Sequence, residues 1–103
     1  MANLVEDVLA EMLAGDAKHG PFSRYPDGTR AGGMNLVQRE QAKNACDRAF
    51  REGRGTAAHV LEEEFWEAMC EEDPVALRAE LVQVAAVACK WIEKLDKEAK
   101  ARG

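Results

Sequence analysis

Apolar residues recur every three or four positions along most of this chain, the spacing that places them on one face of an α-helix. A first helix is predicted to start at Asn3, a residue that caps helix N-termini, and to end at Gly15. A second is predicted from Asn35 to Glu52, where Gly53 follows. The apolar face of the first helix is expected to lie in the core and consists of Leu4, Val8, Leu9, Met12 and Leu13.

Two further helices are predicted to form an antiparallel hairpin. Thr56 caps the third helix, and Asp73 caps a fourth that begins with Pro74. The fourth helix is apolar around most of its circumference between Leu81 and Ile92, so we expect it to be buried on several sides. The pattern predicts one all-α domain over residues 1–103, a four-helix bundle that assembles through the fourth helix into a homodimer or a dimer of dimers.

Residues 16–33 have no helical period and are rich in Gly and Pro, so a loop is predicted there. A loop this long in a small domain is either functional or mobile. Its basic residues are able to hold phosphate groups, and Phe22 and Tyr25 are able to stack on a base. Surface charges without a role are an equally good interpretation. The basic candidates are Lys18, His19, Arg24 and Arg30.

Composition narrows the classes of function. The net charge of −5 comes from Glu-rich helices and argues against binding to nucleic-acid polymers. No apolar run is long enough to span a membrane, and no secretory leader is recognisable, so a cytoplasmic location is expected. The three cysteines lack a CxxC pair and are expected to be small core or interface residues, and two histidines give little support for a zinc site.

Carboxylates occur within the apolar faces of the predicted hairpin. At about 100° per residue, Glu64 falls in the apolar arc of the third helix and Glu80 in that of the fourth. Glu67 and Gln83 lie one turn further on, and similar distances from the turn bring the four side chains to similar heights. Facing carboxylates require protons, basic partners or a hard cation, and Mg²⁺ or Mn²⁺ suits such oxygen ligands.

These residues resemble a known motif. Glu63-Glu64-x-x-Glu67, followed by Glu80-x-x-Gln83, is similar to the EExxE and ExxD half-motifs of the all-α, MazG-like nucleoside triphosphate pyrophosphohydrolases. The resemblance covers mainly the third and fourth helices. It implies that Glu64, Glu67 and Glu80 hold Mg²⁺, with Glu63 acting on water or supporting the ligands. The implied substrate is a nucleoside triphosphate, cleaved to a monophosphate and pyrophosphate, with Lys18 and His19 near the nucleotide.

Gln83 departs from that motif, which has Asp at this position. Gln still offers a carbonyl oxygen to a hard cation, but it removes one negative charge from the site. Two classes of function therefore follow. The first is a Mg²⁺-dependent nucleotide pyrophosphohydrolase, and the second is a helical module with a decayed active site that senses nucleotides or binds a partner protein.

Overall fold

The computed structural model describes residues 3–30 and 32–103, which contain α-helices, a short 3₁₀ helix and no strand. The helices are α1 (Leu4–His19), α2 (Met34–Arg51), α3 (Ala57–Met69) and α4 (Pro74–Arg102), and the 3₁₀ turn covers Phe22–Arg24. The predicted all-α fold with four principal helices is confirmed. None of the described helices has the length and apolar character needed to cross a membrane.

Side-chain caps start three of these helices where the sequence predicted them. The Asn3 side chain accepts a hydrogen bond from the Glu6 amide at 2.9 Å, and Asp73 accepts one from the Ala76 amide at 2.9 Å. Thr56 accepts from the His59 amide, while the His59 ring accepts from the Thr56 amide. Each cap satisfies backbone groups that a helix N-terminus leaves without a partner.

The predicted end of the first helix at Gly15 is wrong, because α1 continues to His19. One glycine inside a helix costs only about 1 kcal/mol relative to alanine, and the residues after Gly15 sustain the helix. Gly20 ends it instead, with a φ of 79° that residues with a side chain rarely adopt. The segment predicted as a loop at 16–33 is therefore helical up to His19 and again at Phe22–Arg24.

The core lies between α2, α3 and α4, each packed against its neighbour in the chain. It is small: the buried apolar residues are Cys46, Ala49, Ala68, Cys70 and Leu77. No large side chain among the described residues is fully buried. The first helix, α1, packs only lightly, against α4.

Two expectations about burial are wrong for the single chain. The apolar face of α1 does not enter a core, since Val8, Leu9, Met12 and Leu13 are all exposed. The fourth helix, α4, is not buried on several sides either, because Leu81, Val82 and Leu95 are exposed. The physical reason is the same in both cases: the chain supplies too few packing partners for its own apolar surface.

Candidate functional site

The α3–α4 hairpin brings the predicted carboxylates together. Glu63, Glu64 and Glu67 lie on α3 and Glu80 lies on the first part of α4, and all four are partly buried. The two helices pack against each other, and the acidic side chains are close enough for the charge of Glu80 to act on Glu64 and that of Glu67 to act on Glu80. We call these four residues the acidic cluster.

Electrostatic repulsion within the acidic cluster is visible at Glu64. Partial burial is the main reason that the pKa of Glu64 is raised, and the negative charge of Glu80 on the facing helix raises it further. Glu63 and Glu67 add to this repulsion from the same helix. Both effects favour the protonated carboxyl.

The pKa of Glu80 is raised in the same way. Burial is the largest cause, followed by the charges of Glu67 and Glu71 on the other side of the turn. Glu71 was not among the residues singled out from the sequence. Glu71 lies just after α3, which ends at Met69, and its place in the short connection between the two helices was the available signal.

Glu63 faces the opposite neighbour, α2. The Cys46 thiol donates a hydrogen bond to the Glu63 carboxylate, and burial together with this contact raises the pKa of Cys46 to about 12. The thiol is therefore protonated at neutral pH, and a protonated thiol is a poor nucleophile. Its contact with Glu63 links the acidic cluster to the packed surface between α2 and α3.

Among the described residues, no basic side chain forms an ion pair with the acidic cluster. The ion pairs between described residues join Arg39 to Glu40, Arg54 to Glu52 and Lys94 to Glu98, and none of them includes a member of the cluster. Within residues 3–30 and 32–103, no three His, Cys, Asp or Glu side chains are gathered as ligands of one metal ion. The charge of the cluster thus suits a hard cation, while its side chains are not arranged around one.

Gln83 is exposed, in contrast to the glutamates of the acidic cluster. Gln83 therefore adds neither a negative charge nor a buried side chain to the acidic cluster. This position is open to solvent and accessible to a ligand.

The basic candidates divide into two groups. Lys18 and His19 lie in the last turn of α1 and Arg24 in the 3₁₀ turn, all exposed. The hydroxyl of Tyr25 donates to the His19 carbonyl and ties these two segments together. None of the hydrogen bonds or ion pairs between described residues joins Lys18, His19 or Arg24 to the acidic cluster.

Arg30 is placed differently, because the loop that carries it is anchored at the C-terminal end of α3. The Arg30 amide donates to the Met69 carbonyl at 2.9 Å, and the Asn35 side chain donates to the same oxygen at 3.0 Å. Met69 follows Glu67 by two residues. The loop thus delivers one exposed arginine to the end of α3 that carries Glu67.

Comparisons of the chain with protein-family models, with curated proteins and with solved structures found no match.

Proposed function

We propose that the α3–α4 hairpin binds Mg²⁺ through Glu64, Glu67 and Glu80 and, with the metal, a nucleoside triphosphate, as the resemblance to the all-α pyrophosphohydrolases implies. The supporting observation is the repulsion between Glu64 and Glu80, two partly buried carboxylates on facing helices without a basic partner among the described residues. A divalent cation relieves such repulsion, and hard cations favour carboxylate oxygens. Mn²⁺ would serve in the same place.

In this proposal the residues of the site have different roles. Glu64, Glu67 and Glu80 supply the ligand oxygens, with Gln83 at the edge. Glu63, held by Cys46, supports the ligands from the α2 side or orients the attacking water. When bound, Mg²⁺ would neutralise charge on the phosphates.

Contacts to the triphosphate itself fall to the basic residues in this scheme. Arg30 is the best placed, because its backbone is fixed to the end of α3. Lys18, His19 and Arg24 are the further candidates, and each is exposed and able to approach a phosphate. The proposed reaction is attack of water on the triphosphate, with release of pyrophosphate and a nucleoside monophosphate.

The first test is a calorimetric titration of Mg²⁺ and Mn²⁺ into the protein, followed by a pyrophosphate-release assay on a set of nucleoside triphosphates. Glu80→Gln keeps the size of the side chain and removes its charge. Loss even of a group that supports a metal ligand costs about tenfold to a hundredfold in affinity, so losing a ligand should cost at least as much. Metal binding by wild type and its loss in Glu80→Gln are the expected results.

Glu62→Gln is the matched control, since Glu62 lies on α3 but is exposed and outside the acidic cluster. It removes the same charge from the same helix and should leave metal affinity nearly unchanged. An equal loss in both variants would mean that only the general negative charge of α3 matters. Absence of any response to millimolar metal in wild type would refute the site.

A decayed active site is the second candidate, and Gln83 is the observation that favours it. Binding requires only neutralisation of phosphate charge, whereas cleavage also requires a positioned water. On this alternative the protein holds nucleotides as a sensor, or binds a partner protein, and turns over slowly. Gln83→Asp should then tighten metal binding and raise the rate of pyrophosphate release.

Gln83→Glu is the companion variant, because it supplies a carboxylate of a different length at the same exposed position. If pyrophosphate release becomes faster in Gln83→Asp but not in Gln83→Glu, the site requires a carboxylate on a side chain of aspartate length. Brisk hydrolysis by wild type, with Gln83→Asp neutral or harmful, would instead make Gln83 a working part of the site.

A further inference from the structure

We propose that the apolar stripe of α1 and the adjoining residues of α4 form the surface on which a second copy of this chain packs. The α1 stripe is defined as Val5, Leu9, Met12 and Leu13, and the adjoining residues are Ile92 and Leu95. The proposal is independent of the acidic cluster, of metal and of nucleotide.

The residues of the α1 stripe form one continuous surface. At about 100° per residue they fall within an arc of about 100° on α1. Their exposed fractions are high, at 73% for Val5, 54% for Leu9, 63% for Met12 and 64% for Leu13. Isolated apolar residues on a surface are ordinary, but four on consecutive turns of one helix indicate an interaction site.

The other face of α1 is turned toward α4. Grooves between the two helices are lined on the α1 side by Leu4, Asp7, Val8, Glu11 and Met12. Within one chain, α1 therefore places two carboxylates among apolar side chains beside α4, and every residue of the α1 stripe remains more than half exposed. An amphipathic helix that has all its partners buries its apolar face and turns its charges to solvent.

Met12 connects the α1 stripe with α4. It lines the same groove as Ile92, and Leu95 follows Ile92 by almost one turn and is 51% exposed. The exposed apolar surface thus continues from one helix to the other. A partner that covered this surface would contact α1 and α4 at once and would hold the two helices together.

The single chain exposes more surface than a compact monomer of its mass does. A compact monomer of 11.3 kDa exposes about 5,700 Å², whereas this chain exposes 7975 Å². The excess is about 2,300 Å² per chain, or about 4,600 Å² for two chains, and permanent homodimers bury about 2,000 to 5,000 Å² in total. The radius of gyration agrees, at 16.1 Å where about 13 Å is expected for a compact chain of this length.

A second copy is the occupant that these observations favour. Under twofold symmetry the same surface occurs on both sides of an interface, so a continuous apolar surface is able to cover itself. The excess area has the size of a permanent homodimer interface and is larger than the interface of a transient complex.

The test compares the mass of wild type with that of Leu9→Glu by light scattering, without metal or nucleotide, from low to high micromolar concentration. Wild type should have twice the single-chain mass of 11.3 kDa or a higher multiple. Burying a leucine accounts for about one to two powers of ten in association, so a charge there should weaken it by about a hundredfold. Leu9→Glu should therefore shift to the single-chain mass.

Val75→Glu is the control, because Val75 is 79% exposed in the first turn of α4, outside the proposed surface. It should associate like wild type. A single-chain mass for wild type at high micromolar concentration would overturn the proposal, as would a Leu9→Glu protein that associates like wild type.

Hydrogen exchange on wild type provides a measurement that does not depend on a folded variant. The amides of residues 5–13 should become more protected as protein concentration rises, while those of α3 change less. Equal exchange of residues 5–13 at all concentrations would overturn the proposal as well.

Discussion

At the scale of single residues, Glu64 is the carboxyl on which most of the repulsion converges. Its pKa is raised by burial and by Glu80, so the folded chain binds a proton there more tightly than the unfolded chain does. This contribution favours folding below the unfolded pKa of about 4.5 and is lost as pH rises through the higher folded pKa. Ionised Glu64 therefore destabilises the metal-free protein at neutral pH.

Glu64→Gln should remove this pH dependence. We expect the variant to be more stable than wild type at pH 7 in the absence of metal, and the difference to shrink as pH falls toward the unfolded pKa. Urea unfolding followed by circular dichroism at several pH values measures it. Glu62→Gln is the control, and a Glu64→Gln protein less stable than wild type at pH 7 would contradict the prediction.

At the scale of helices and their ends, the cap of α3 makes two reciprocal hydrogen bonds. The Thr56 hydroxyl accepts from the His59 amide at 3.2 Å, and the His59 ring accepts from the Thr56 amide at 3.1 Å. The sequence identified Thr56 as the cap but not the role of His59, because a histidine at this position is not the usual Glu or Gln.

Thr56→Ala should lower the free energy of unfolding by about 1 kcal/mol, since the hydroxyl that satisfies the His59 amide is lost. Thr56→Ser retains that hydroxyl and should cost much less. Urea unfolding of the two variants and of wild type measures the loss in the free energy of unfolding. Equal losses in both would place the effect in the threonine methyl group rather than in the cap.

Sequence chemistry located the helix starts better than it located the helix surfaces. Asn3, Thr56 and Asp73 act through neighbours three residues away, so local sequence contains what is needed. The helix end predicted at Gly15 was wrong because the low helix propensity of one glycine is a weak preference that the following residues outweigh. The repulsion between Glu64 and Glu80 was foreseeable from helical spacing, whereas the contact of Cys46 with Glu63 depends on how α2 packs against α3 and has no local pattern.

At the scale of the whole molecule, the chain is flat and open, measuring 46 × 43 × 21 Å. Periodicity revealed that α1 has an apolar face but not which surface covers it, because pattern alone does not distinguish a core within one chain from an interface between two. The face expected in the core is the one that lies in solvent. Apolar surface that stays in solvent does not contribute hydrophobic free energy to folding, so it limits the stability of the isolated chain.

The midpoint temperature of unfolding should therefore rise with protein concentration. If the folded form is associated and the unfolded form is not, mass action favours folding at higher concentration. Circular dichroism melts over a hundredfold range of wild-type concentration measure the effect, with Val75→Glu as a control that behaves alike. A midpoint temperature that does not change with protein concentration would show that association adds nothing to the stability of the single chain.

The order in which the helices pack has a consequence for the speed of folding. Each of α2, α3 and α4 packs against its neighbour in the chain, and contacts between close neighbours form quickly because little loop entropy is lost. The first helix, α1, packs mainly against α4, at the opposite end of the chain. If two copies pack together as proposed, refolding should begin with a fast, concentration-independent phase in the three-helix part, and α1 should dock afterwards in a phase whose rate rises with protein concentration.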